Sequence, residues 1–120
     1  MTTIDILKKT KAAWPHISSA SAETKNALLR AMADRLEAES AAILAANRAD
    51  MDAARQHISQ VMLDRLYLDE KRIAAMADGI RAIAGLPDHT GRILSEVCRP
   101  NGMTICKQQV PLGLVSIIYE

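Results

Sequence analysis

At Pro87 the sequence changes its period. Upstream, apolar residues recur at intervals of three and four; from Arg92 onward the interval shortens towards two. A chain patterned this way folds as a run of helices followed by strands. Its core has to be aliphatic, because the 120 residues include one Trp, two Tyr and no Phe, leaving Leu, Ile, Met and Ala to fill it. At this length a single core is feasible, burying roughly two-thirds of the surface of the unfolded chain.

Local signals divide the upstream part. Thr3 to Trp14 reads as a short helix stopped by Pro15, with "WPHISSAS" as a connector. Ser21 is a good N-cap, since its hydroxyl accepts from the free amides of a first turn, and Glu23 suits the positive end of the helix dipole. Leu28, Leu29, Met32, Leu36, Ile43 and Leu44 form an apolar stripe opposite Arg30, Asp34, Arg35, Glu37 and Glu39, which predicts a long helix bent near Ser40. Helical composition continues to Gln56 and breaks at His57 and Ile58. Ser59 then caps a helix through Tyr67. Asp69 caps another from Glu70 to Ala84, with Ile73, Met76, Ala77, Ile80 and Ile83 as its inner face. Gly85, as a left-handed cap, and Pro87 end it.

Downstream, "RILSEVCR", "PNG" and "MTICKQQV" read as a β-hairpin with Asn101-Gly102 as a two-residue turn. That register sets Glu96 opposite Lys107 and Cys98 opposite Ile105, with Cys98 and Cys106 on opposite faces. A three-residue loop would instead set the two cysteines opposite each other; a reducing compartment favours the first arrangement. Pro111 closes the hairpin and Gly113 frees the backbone to turn. The unbroken apolar run Leu114 to Tyr119 predicts a strand buried on both faces, as in a parallel sheet covered by helices.

The chemistry-bearing residues form no constellation. Fifteen Lys and Arg balance fourteen Asp and Glu, a net charge of +1, so no field marks nucleic acid as a partner. No apolar stretch approaches the ~20 residues that span a bilayer, and Met1 to Lys11 carries charges where a signal peptide has its apolar centre, so a cytoplasmic protein without a membrane partner is expected. Cys98 and Cys106 lack metal-ligand spacing and read as reduced structural thiols. His16, His57 and His89 fall in connectors with no nearby carboxylate or cysteine at ligand spacing and read as ordinary surface residues. Asp50 with Asp52, and Asp69 with Glu70, are too close in sequence to face one another on a helix, so they read as solvated or capping groups. The glycines form no phosphate cradle. Taken alone, the residues offer no catalytic group and no metal site.

The block "RPNGMTICKQQVPLGLVSIIYE" resembles the hairpin and first cofactor-domain strand of the gamma-glutamyl phosphate reductase (glutamate-5-semialdehyde dehydrogenase) family, which typically reads R-P-N-G-L…P-L-G-V-I-x-I-I-Y-E. "KNALLRAMADRLEA", "ILAANRADMDAAR" and "LDRLYLDEKRIAAMADGIRAIAGLPD" agree with the same family in the same order, so the resemblance covers essentially the whole chain. It implies an α/β, aldehyde dehydrogenase-like fold for the whole enzyme, of which this would be an N-terminal piece. Residues 1–86 would be a helical part, 87–112 a hairpin serving as an oligomerisation arm, and 113–120 the truncated start of the nucleotide-binding sheet. The implied reaction is NADPH-dependent reduction of L-glutamate 5-phosphate to the semialdehyde and phosphate, in proline biosynthesis, by a homo-oligomer whose catalytic cysteine lies beyond this stretch. Tyr119 and Glu120 match the family's Y-E and are the residues the resemblance places near NADPH, beyond the carboxyl end of a strand. The chain alone is expected to be inactive and not to bind NADPH. "WPHIS", His57 and Ser116 depart from the family's pattern. The competing reading is a free-standing helical interaction module that docks its hairpin on a partner.

Overall fold

The computed structural model describes residues 2–117. Among them, five helices precede a two-stranded antiparallel sheet: α1 Thr3–Ser18, α2 Ala22–Ala38, α3 Ser40–Ala54, α4 Gln60–Leu66, α5 Glu70–Ala84, β1 Ile93–Cys98 and β2 Thr104–Gln108. The mostly helical chain with a C-terminal hairpin is the arrangement the changing period predicts. It divides into two compact units, residues 23–86 and the flanking segments 1–22 with 87–120.

In the first unit, local signals set the helix boundaries. The bend expected near Ser40 is a one-residue interruption at Glu39, across which Glu39 N donates to Arg35 O (3.0 Å) and Ile43 N to Glu39 O (3.1 Å). The Ser59 hydroxyl accepts from Met62 N at 3.4 Å and the Asp69 carboxylate from Arg72 N at 2.7 Å, starting α4 and α5 where predicted. Such a cap is worth about 1 kcal/mol. The α5 terminus differs from expectation. Gly85 has φ −86°, so it is not a left-handed cap; the last carbonyls are met instead by i→i−3 bonds from Gly85 N to Ala82 O and Leu86 N to Ile83 O.

The core of this unit is built on small side chains. Ala33, Ala77 and Ala84 are buried with Ile73 and Leu63, whereas Leu28, Met32, Met76 and Ile83 of the predicted stripes are exposed. Alanine permits close approach of helix backbones, and larger side chains to either side are then left at the margin. Full burial of Ile73 contributes about 1.5–3 kcal/mol.

In the second unit, α1 continues through Pro15 to Ser18 rather than stopping at Trp14, so His16 lies on its last turn and not in a connector. Proline removes one i→i−4 bond. The added turn is held by the Pro15 carbonyl, which accepts from Ser19 N (3.3 Å) and from the hydroxyls of Ser18 (3.0 Å) and Ser19 (2.9 Å). At the other end Thr2 and Asp5 form a reciprocal capping box.

The hairpin register differs by one residue from expectation. Glu96 faces Cys106, Val97 faces Ile105 and Cys98 faces Thr104. The loop is Pro100-Asn101-Gly102, closed by Arg99 N to Met103 O and Gly102 N to Arg99 O, both 2.9 Å. A two-residue type I′ turn needs positive φ at both Asn101 and Gly102, but only Gly102 has it, at 84°. Pro100 instead sets φ for the first position of a type I turn, and Gly102 follows in the left-handed region, giving the three-residue loop. Cys98 and Cys106 are therefore diagonal neighbours on one face, neither opposed nor on opposite faces. Such positions lie ~7–8 Å apart, beyond ordinary disulfide reach, and both thiols are free.

Past the hairpin, Gly113 turns with φ 106° as its position suggests. The strand expected over Leu114 to Tyr119 is not formed at residues 114–117. A strand requires a neighbour to take its backbone groups, and the sheet among the described residues consists of β1 and β2 alone.

Candidate functional site

The hairpin and the segment after it are where the sequence points to function. Every residue of β1 and β2 is exposed. The base is fastened by Gly91 N to Gln109 O and Gln109 N to Arg92 O, both 2.9 Å, and by the Gln108 carboxamide nitrogen donating to Gly91 O at 3.0 Å. On one face the Cys106 thiol donates to the Glu96 carboxylate at 3.6 Å. Loss of solvent around the sulfur, then the Glu96 charge and that hydrogen bond, push the Cys106 thiol above its ordinary value. A thiol needs a lowered value to act as a nucleophile near neutrality, so this environment works against catalysis at Cys106.

Tyr119 and Glu120, the two residues the resemblance places near NADPH, lie outside the described residues. His16, His57 and His89 sit on α1, in the turn after α3 and in the segment before β1. Among the described residues no group of three His, Cys, Asp or Glu is placed to hold a metal ion. Asp69 is a cap, as expected, and Asp52 pairs with Arg55 at 3.4 Å.

The first unit has an open groove of about 730 Å³ whose lining includes Asn47, Arg48, Met51, Arg55, Tyr67 and Lys71. Its cationic residues Arg48, Arg55 and Lys71 are matched by Asp52, Asp69 and Glu70, so charge does not select an anion. At its wall, the Asn47 carboxamide donates to Leu66 O at 2.8 Å and accepts from Leu68 N at 2.9 Å, tying α3 to the α4–α5 connector. Arg72 closes the same corner. Its guanidinium donates to the carbonyls of Asp64 (2.6 Å) and Tyr67 (2.7 Å) and lies 5.3 Å from the centre of the Tyr67 ring. On another face, Arg81 of α5 pairs with Glu37 and Asp34 of α2. Periodicity alone misses these residues. For Asn47 a signal was present, since asparagine is a poor helix former in an alanine-rich turn.

The helical segment and hairpin match the corresponding part of an aldehyde dehydrogenase-like enzyme. A crystal structure from Thermotoga maritima superposes with a TM-score of 0.86 and 31% identity, over 90% of this chain and 26% of that one. That structure is of a gamma-glutamyl phosphate reductase, and the sequence is homologous to the same enzyme. Relatives so named are 54% identical over 117 residues in Streptococcus suis and 56% identical over 110 residues in Neisseria meningitidis serogroup C. These alignments cover 98% and 92% of this chain but 28% and 26% of the relatives, so the chain spans about a quarter of their length. No protein-family model matches it.

Proposed function

We propose that this chain is the N-terminal part of a gamma-glutamyl phosphate reductase and serves the NADPH-dependent reduction of L-glutamate 5-phosphate to L-glutamate 5-semialdehyde in proline biosynthesis. The observation that carries the reading is agreement of sequence and fold at once: 54% identity over 117 residues to one relative and a TM-score of 0.86 to a solved reductase. Within this reading the chain is scaffold. Residues 1–86 supply a helical part, 87–112 an arm through which copies assemble into a homo-oligomer, and 113–120 the approach to the nucleotide, with Tyr119 and Glu120 nearest to it. An exposed two-stranded hairpin suits the arm, since such a unit has marginal stability until it packs on something. The cytoplasm, where NADPH is made and used, is the compartment this reading requires.

The test is an assay of the complete gene product that carries this sequence. In the reverse direction, semialdehyde with phosphate and NADP⁺ should generate NADPH absorbance, whereas residues 1–120 alone should generate none. Absence of turnover by the complete product, with its fold confirmed by circular dichroism, would sink the reading. Deletion of residues 93–108 should lower the mass measured by light scattering if the hairpin joins copies; an unchanged mass would remove that assignment.

A further inference from the structure

The hairpin loop holds a reactive dipeptide that the proposed function does not use. The chain has three asparagines, Asn26, Asn47 and Asn101, and only Asn101 is followed by glycine. Asn26 and Asn47 lie within α2 and α3. There the helix fixes the following backbone nitrogen away from the side chain, and Asn47 is also buried with its carboxamide engaged at both ends. Asn101, by contrast, is exposed at the tip of the loop. Gly102 has no side chain to shield the peptide nitrogen, and, its two chain neighbours aside, no heavy atom lies within 4 Å of where a Cβ would sit, so the loop is open to solvent on that side.

We propose that Asn101 is a site of spontaneous deamidation whose rate is set by opening of the hairpin loop. The Gly102 backbone nitrogen, after loss of its proton to solvent base, attacks Cγ of Asn101. An N–Cγ bond forms, the Cγ–Nδ2 bond breaks, and nitrogen leaves as ammonia after taking up a proton, closing a five-membered succinimide. Water then adds to one of the two ring carbonyls. Opening at the Cγ carbonyl gives aspartate; opening at the backbone carbonyl gives isoaspartate, whose main chain runs through Cβ. No electron transfer and no enzyme are needed.

Two bonds of the closed loop oppose the first step. Gly102 N, the nucleophile, donates to Arg99 O at 2.9 Å, and the Asn101 side-chain oxygen accepts from Met103 N at 3.1 Å. Both must break before the nitrogen can turn onto Cγ, so reaction is confined to molecules whose loop is open. The products differ in consequence. Aspartate keeps an acceptor for Met103 N and the same number of backbone atoms. Isoaspartate adds a main-chain carbon to a three-residue loop whose length sets Val97 opposite Ile105, and therefore disturbs the register.

The experiment ages the protein at mildly alkaline pH, with and without urea, and measures conversion at each asparagine by peptide mapping that separates aspartate from isoaspartate. Asn101 should convert before Asn26 and Asn47 in both conditions, and roughly tenfold faster in urea, as expected when a local closure is removed. Ile105→Gly, a change confined to an exposed β2 position, should bring the native rate towards the urea rate and leave the urea rate unchanged. Equal rates at Asn101 with and without urea, no response to Ile105→Gly, or earlier conversion at Asn26 or Asn47 would each overturn the proposal.

Discussion

Arg81 and Glu37 form a two-pronged ion pair between α5 and α2, with Nη1 3.0 Å from Oε1 and Nη2 2.6 Å from Oε2. The same guanidinium reaches Asp34 at 2.9 Å and Asp78 at 3.3 Å. Hydrogen bonding from Arg81 holds the Glu37 carboxyl below its usual range, against a smaller opposing effect of lost hydration. The sign of the pH effect follows. A carboxyl whose folded value is depressed contributes stability that is present above its unfolded value and is lost as pH falls through the folded one. Glu37→Gln should therefore melt below the parent at neutral pH, with the difference shrinking in acid below the ordinary glutamate range. Because the pair is partly exposed, added salt should shrink the difference too. Thermal melts across pH and salt check this; a difference that persists in acid would contradict it.

Asn47 tests a different kind of bond. Replacing it by Ala leaves Leu66 O and Leu68 N in need of partners at a corner where both residues are only partly exposed. The expected loss is about 1–3 kcal/mol, the cost of unsatisfied polar groups. Amide hydrogen exchange should quicken at Leu68 ahead of the α5 interior. Aspartate keeps the acceptor for Leu68 N but cannot donate to Leu66 O, so Asn47→Asp should also destabilise the chain.

What was legible in the sequence depended on how local the cause is. Ser59 and Asp69 could be read as caps because each acts on an amide three residues away. Pro15 reads as a stop, yet the helix runs on to Ser18, because the Pro15 carbonyl accepts from the Ser18 and Ser19 hydroxyls, which sustain one more turn. The hairpin was legible but its register was not: Asn-Gly suggests a two-residue turn, and Pro100 shifts the loop by one position. Core selection was least accessible, since Ala33 is buried where Met32 is not, and helix packing decides between them. Tyr119 and Glu120 came from family resemblance alone, with no local physics to support them.

The face shared by Cys106 and Glu96 gives a chemical prediction. Glu96→Gln removes the nearby negative charge that raises the thiol, although partial desolvation remains. Alkylation of Cys106 by iodoacetamide near neutral pH should therefore quicken several-fold in the variant, as more of the reactive thiolate is present. Peptide mapping separates this site from Cys98. No acceleration at Cys106 would mean that Glu96 does not face it.

Ala77 and Ile73 probe the core from opposite directions. Ile73 is 1% exposed, so Ile73→Ala should cost about 2–5 kcal/mol by removing buried methyl groups and leaving a cavity. Ala77 has no exposed surface, and Ala77→Leu should cost about 1–3 kcal/mol by forcing the helices apart. A core defined only by apolar character would reward the larger side chain at position 77. A core defined by close helix approach penalises it. Denaturant midpoints of the two variants distinguish these cases, and an Ala77→Leu protein as stable as the parent would show that small size at this position is not what packs the bundle.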